Sequence, residues 1–205
     1  MKKNGFTLIE MLVVIVIIGI LAGITLIGVN AAINTGKISA TEAMLGQMSA
    51  QIKAYANKWG DYPPTTLTEI GGKSTNEFNG GIEALTACIS SKEMGGPMFQ
   101  PDKSDLYSNT DEDKADKNIT NWYFGDNALR EITDYFGRPL AYFHFKDYAK
   151  PSGPMTRYKM AVKGAEGRVK PEMDGATKNY YNSDKFQLIS PGKDGVFGTS
   201  DDIIK

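Results

Sequence analysis

Cysteine is nearly absent from this 205-residue chain: Cys88 stands alone, so no intrachain disulfide can form. That excludes the small disulfide-stapled scaffolds, and a chain of this length buries enough apolar surface to do without them. Cys88, in Ala84-Leu85-Thr86-Ala87-Cys88-Ile89, reads as a small apolar core residue. Histidine is as scarce. His144 is the only one, with no nucleophile or ligand set beside it, and reads as a half-buried strand residue. No phosphate loop, nucleophile elbow, zinc pair or positioned carboxylate dyad is found, so an enzyme is not expected. A net charge of −1 gives no general affinity for nucleic acid, which is not expected as a partner. No proline precedes Pro63, and no charged residue lies between Met11 and Gly36. The mean hydropathy of −0.32 therefore averages two unlike parts, a greasy amino terminus and a polar remainder. No internal repeat is evident.

The uncharged run from Met11 to Gly36 exceeds the ~20 apolar residues that span a bilayer as one helix. Glu10 is set just inside the apolar block. A carboxylate at the bilayer centre costs ~2.5–3.5 kcal/mol on insertion scales, so such a residue is a functional candidate. A secretory signal has a shorter apolar core, roughly 7–15 residues, although Asn30-Ala31-Ala32 imitates its cut site. A plain anchor fits the length and leaves Glu10 unexplained. A third reading uses the basic Lys2 and Lys3, Gly5-Phe6-Thr7-Leu8-Ile9-Glu10 and the Met11-Leu12-Val13-Val14 run together. This combination resembles the class III signal of type IV pilins and of the pseudopilins of type II secretion. The resemblance implies cleavage after Gly5, methylation of the Phe6 amine so freed, and pairing of Glu10 with the Phe6 amine of a neighbouring subunit. Pairing offsets the cost of placing both charges in apolar surroundings.

Beyond the membrane block, Leu45, Met48, Ile52, Tyr55 and Trp59 recur at spacings of three and four, with Ile38 a heptad earlier. That is the apolar stripe of an amphipathic helix. One helix is expected from Phe6 to Trp59. Gly19, Gly23, Gly28 and Gly36 weaken it by about 1 kcal/mol each relative to alanine. They mark either close helix contacts or places where it loosens. Many pilins carry a proline in this block; here Thr25-Leu26-Ile27-Gly28 stands there, and a kink would rest on glycine. Gly60-Asp61-Tyr62-Pro63-Pro64 ends the helix. Tyr62-Pro63-Pro64-Thr65-Thr66, followed after extra residues by Gly81-Ile82-Glu83-Ala84-Leu85, resembles the family's "YPT…GLEAL" segment. It predicts a helix from about Gly81 to Ser91 that packs Ile82, Leu85 and Ile89.

Gly95 to Asn121 reads as an exposed loop, with Asn118-Ile119-Thr120 matching a glycosylation sequon. Its Asp105, Asp111, Glu112, Asp113 and Asp116 read as a solvated face rather than a second cation site, since no EF-hand register fits. Trp122-Tyr123-Phe124 begins a more apolar stretch. Asp134-Tyr135-Phe136-Gly137-Arg138-Pro139 resembles the "DPWGNPY" turn of the major pseudopilin, with Tyr135 replacing the first proline. Leu140–Lys146, the region of Tyr158, Met160 and Val162, and the region of Phe186 and Leu188 alternate. They predict three strands of one antiparallel sheet whose apolar face covers the second half of the long helix.

The last stretch, Ser190-Pro191-Gly192-Lys193-Asp194-Gly195-Val196-Phe197-Gly198-Thr199-Ser200-Asp201-Asp202-Ile203, mixes glycines that let a chain curl with aspartates that offer hard oxygen ligands. It resembles the calcium loop of the same pseudopilin. The resemblance implies a structural Ca²⁺ held by Asp194, Asp201 and Asp202 and by the backbone carbonyls of Pro191 and Thr199. Only Ile203, Ile204 and Lys205 follow, which leaves little chain to pin the loop.

Taken together, the resemblance to a type II secretion major pseudopilin or a pilin-like relative implies an α+β, pilin-like fold: a long amino-terminal helix, transmembrane then amphipathic, on a small antiparallel sheet. The expected divisions are a leader at 1–5, a transmembrane and assembly helix at 6–36 and a periplasmic head at 37–205. The implied function is structural. Subunits leave the inner membrane for a periplasmic filament that drives export of folded proteins. The implied partners are other copies of the chain, minor pseudopilins, a prepilin peptidase that also methylates, an inner-membrane assembly platform, and lipid before assembly. The alternative is a type IV pilus subunit for adhesion, motility or DNA uptake.

Overall fold

The computed structural model describes residues 6–90, 98–101, 104–115, 127–160 and 164–205. The cleavage-site Gly5, Asp116, the Asn118 sequon, Trp122-Tyr123-Phe124 and Val162 lie outside the described residues. The chain divides into two units, Met1–Lys37 and Ile38–Lys205. One helix, α1 (Leu8–Trp59), passes through the division. It closes at Gly60, which turns left-handed (φ 86°) and donates its N–H to the Ala56 carbonyl at 2.8 Å.

The second unit has its own core. Thr41, Met44, Leu45, Met48, Ile52 and Tyr55 of α1 are buried there. The predicted stripe is thus present from Leu45 to Tyr55, widened by Thr41 and Met44. Trp59 departs from it: its ring is 53% exposed and leans on Tyr55 with centroids 6.2 Å apart. A second helix, α2 (Gly80–Ser90), is buried from Gly80 to Ile89. Its glycines let it press close to its neighbours. A Cβ on Gly81 would stand 2.6 Å from the Tyr142 carbonyl oxygen, and one on Gly80 would stand 2.5 Å from Pro154 Cβ.

Three small antiparallel sheets complete an α+β fold. Strand β1 (Tyr107–Ser108) pairs with β2 (Glu131–Ile132). Strand β3 (Ala141–His144) pairs with β6 (Phe186–Ser190), which pairs in turn with β7 (Ile203–Ile204). Strand β4 (Arg157–Lys159) pairs with β5 (Glu166–Arg168). The Tyr158 strand therefore does not join the central sheet, as the alternation suggested. The third place there goes to Ile203–Ile204. The last residues also hold the chain end down, because Lys205 and Leu188 exchange both backbone hydrogen bonds at 2.9 Å.

The central strands are not covered on one face only. Every residue of β3 and β6 is buried, because elements close over both sides. On β3, Tyr142 donates its hydroxyl to the Pro63 carbonyl at 2.6 Å. On β6, the buried Gln187 accepts from the Glu172 N–H (2.7 Å) and donates to the carbonyls of Glu172 (3.0 Å) and Tyr181 (2.7 Å). Polar strand positions stay inside because their hydrogen bonds are made. His144 is likewise buried rather than half-buried, with Nε2 3.0 Å from Asp61 Oδ1. Lys146, then His144, hold the Asp61 carboxyl down to about 2. The acidic segment is the other departure: Asp111 and Asp113 are buried, and only Glu112 of the three faces solvent.

Packing at Gly81 sets the approach of α2 to β3. Gly81→Ala is expected to destabilise the full-length protein in detergent by ~1–3 kcal/mol, the usual cost of overfilling a packed contact. Denaturant unfolding checks this. A more stable variant, as helix propensity alone would give, would show that the contact yields freely.

Candidate functional site

The amino-terminal segment begins with a cap. Thr7 stands just before α1, and Glu10 is three residues on. The Glu10 Oε2 accepts from both the backbone N–H and the hydroxyl of Thr7, each at 2.7 Å, and the Glu10 N–H donates to Thr7 Oγ1 at 3.3 Å. This is a reciprocal capping box, which satisfies N–H groups that the first helical turn leaves without partners. The signature Thr-x-x-Glu before an apolar run is legible in the sequence, yet a reading centred on the charge of Glu10 passes over it. Glu10 also places a negative charge where the helix dipole favours one.

Downstream of the cap, the helix surface is apolar and uncovered. Leu8 is 92% exposed and Ile18 60% exposed, and every apolar residue between them is also exposed. This is the one described helix long and apolar enough to cross a membrane. Glycines 19, 23, 28 and 36 have open space where a Cβ would go, so no neighbour within the chain requires them.

At the other end, the loop between β6 and β7 is folded by its own aspartates. Asp194 Oδ1 accepts from the Val196 N–H (2.7 Å), and Asp201 accepts from the Asp194 N–H (2.9 Å) and the Thr199 hydroxyl (2.6 Å). Asp202 Oδ2 accepts from the Gly198 N–H at 2.7 Å, while its buried Oδ1 has no partner. The two carbonyls expected as ligands take part in turns. Pro191 O accepts from Gly195 N–H at 3.1 Å, and Thr199 O from Asp202 N–H at 3.3 Å. The donors are the right kind for a hard cation, and the orphan oxygen of Asp202 fits one. The three carboxylates are held on separate turn N–H groups, however, and do not converge as a cluster. Gly192 is required at the loop's closure: its φ is +58°, and a Cβ would run into the backbone carbonyl of Asp201.

A polar chain anchors this loop to the Asp134 turn. Buried Asp134 accepts from the N–H groups of Phe136 (2.8 Å) and Arg138 (3.0 Å) through Oδ1, and from the Ser190 hydroxyl (2.8 Å) through Oδ2. Arg138 then donates to the Gly192 carbonyl at 2.8 Å. The glycine of this turn, Gly137, is left-handed at φ 79°.

A family model described as the prokaryotic N-terminal methylation motif matches residues 1–26. The motif indicates a type IV pilin-like or pseudopilin chain. No curated protein and no solved structure matches. The matched stretch contains Gly5, Phe6 and Glu10 and implies processing by a prepilin peptidase and filament assembly. The matched stretch ends within α1.

Ser190→Ala tests the anchor of the carboxyl-terminal loop. Burial raises the Asp134 carboxyl above its ordinary range in spite of its three hydrogen bonds. A carboxyl raised in the folded state lends stability at low pH that is lost as pH rises through the folded value. Removing the Ser190 hydroxyl raises it further and leaves Oδ2 unpaired. The variant should therefore lose ~1–3 kcal/mol at neutral pH, and the deficit should shrink as pH falls towards 4. A deficit independent of pH in thermal melts would show that the hydroxyl does not act on Asp134.

Proposed function

We propose that this chain is a structural subunit of a type II secretion pseudopilus, without catalytic residues of its own. The observation that carries the reading is the apolar surface of α1, whose first part lies within a methylation motif and which nothing among the described residues covers. A helix that is apolar all round needs lipid or other helices about it. Inner-membrane lipid fills that place before assembly and α1 helices of other copies fill it afterwards, with the head on the periplasmic side. The prepilin peptidase cuts between Gly5 and Phe6 and methylates the new amine. Minor pseudopilins and the inner-membrane platform are the remaining partners.

Two features favour the pseudopilus over a surface pilus. The carboxyl-terminal loop resembles the calcium loop of the major pseudopilin, and the single cysteine cannot close a disulfide loop of the kind many pilins carry. The calcium ligands in this reading are Asp194, Asp201, Asp202 and the carbonyls of Pro191 and Thr199. Calcium there would draw the three carboxylates together and stiffen the loop. Long surface fibres on cells at native expression would instead identify a pilus.

Intact mass of the filament form is expected to equal residues 6–205 plus one methyl group. Met1 retained in assembled material would contradict the processing. Glu10 needs two variants, because it both caps the helix and carries charge. Glu10→Gln keeps an acceptor for Thr7 and removes the charge, whereas Glu10→Ala removes both. If the carboxylate pairs with the Phe6 amine of another copy, both variants insert in the membrane and neither assembles normally. Normal filaments from Glu10→Gln would reduce Glu10 to a helix cap.

A further inference from the structure

Four acidic side chains from three separate elements meet inside the second unit. Glu83 comes from α2, Asp111 and Asp113 from the segment after β1, and Glu131 from β2. Each brings one oxygen to a place where all four lie within 4.8 Å of one another, the one such group among the described residues. All four are buried, Glu83 and Glu131 at 0% exposure. Yet both oxygens of Glu83, both of Asp111 and Oδ1 of Asp113 accept no hydrogen bond. Buried polar atoms are nearly always paired, and buried charges are paired or bind metal.

The surroundings support the acids from behind without neutralising them. Glu131 accepts from the Thr110 N–H at 2.8 Å and from Asn79 Nδ2 at 3.3 Å, and Asp113 Oδ2 from the Ser74 hydroxyl. Asn79 is itself fixed, accepting from the Lys159 N–H at 3.1 Å and donating to Thr110 Oγ1 at 2.9 Å. Burial first, and then the neighbouring Asp113, Glu131 and Asp111, all of its own sign, raise the Glu83 carboxyl well above the ordinary range.

The spacing is wide enough to hold an ion between the four oxygens. Calcium takes 6–8 oxygens at ~2.3–2.6 Å, so ligands on opposite sides of it stand about 4.8 Å apart. Magnesium holds its ligands at ~2.0–2.1 Å and keeps its waters. A set of oxygens with no histidine or cysteine selects hard cations. We propose that Glu83, Asp111, Asp113 and Glu131 form a buried binding site for one divalent cation, calcium in preference to magnesium, separate from the carboxyl-terminal loop. The ion ties α2 to β2 and to the acidic segment and so stabilises the head. This holds whichever kind of filament the chain builds.

The test uses the full-length protein in detergent at neutral pH, stripped with chelator and titrated with calcium chloride by calorimetry and thermal melts. Calcium is expected to bind and raise the melting temperature, and magnesium to raise it less. Glu83→Gln and, separately, Asp111→Asn should each weaken this binding at least tenfold. Their metal-free forms should melt no lower than metal-free wild type, because each replaces one acid of a crowded, buried group of four with a neutral amide. Asp194→Ala, in the other loop, should leave this binding in place. No calcium-dependent shift in wild type at millimolar calcium would overturn the proposal. So would a shift that survives either substitution in an Asp194→Ala background, or one that Asp194→Ala abolishes. An equal shift with magnesium would overturn the preference for calcium. Should Glu83→Gln fail to fold, Asp111→Asn carries the same comparison.

Discussion

From Leu8 to Leu21, helix α1 carries leucine, isoleucine, valine and methionine side chains all round, and about half or more of each stays exposed. Apolar area of this kind is unfavourable in water at roughly 25 cal/mol per Å². Nothing among the described residues covers it. A bilayer covers it completely, and so does a bundle of identical helices, with no change in the helix itself. Polar atoms must then be few and placed with care. The capping box of Thr7 and Glu10 answers one part of that need, because it pairs N–H groups at the helix start that apolar surroundings would leave unpaired.

The second unit solves a different problem with little regular structure. Its strands are two to five residues long, and much of the stability comes from side chains that bridge loops. Asp134 links the Gly137 turn to β6. Asp61, just beyond α1, receives His144 and Lys146 from the end of β3. Gln187 staples the 172–181 segment to β6. The four-carboxylate cluster belongs to the same pattern, a long-range tie made by buried polar groups. It differs in leaving the oxygens of Glu83 and Asp111 and one oxygen of Asp113 without donors, and that imbalance is what points to a cation.

Much of this was legible in the sequence where one periodicity acts alone. The apolar run, the Leu45–Tyr55 stripe, the stop at Gly60 and the Gly81–Leu85 helix all follow from local spacing and local breakers. Where contacts are long-range, sequence reading gave way. The alternation around Tyr158 predicts a strand and β4 is one, but the choice of partner depends on Ile203 and Ile204, two residues at the chain end. His144 reads as a half-buried position because nothing in its neighbourhood tells that Asp61 will meet it. Asp111 and Asp113 sit in a segment rich in charge, and local composition argues for solvent. Their burial follows from Glu83 and Glu131, distant in sequence and acidic as well. Thr7 was the reverse case, since its capping role was written within four residues and was hidden by the larger question of the Glu10 charge.

The single native cysteine makes the central claim accessible to direct measurement. Cys88 is fully buried, and burial pushes its thiol up to about 12, so it stays silent. Cysteines introduced one at a time along the exposed Ile15–Leu21 stretch of α1 would then report alone. In cells with the assembly machinery intact, a short thiol crosslinker should join copies of the chain through these positions, and the crosslinks should vanish when the inner-membrane assembly platform is removed. Crosslinks that are absent throughout, with the introduced cysteines reacting as isolated lipid-facing residues, would contradict a filament built on α1.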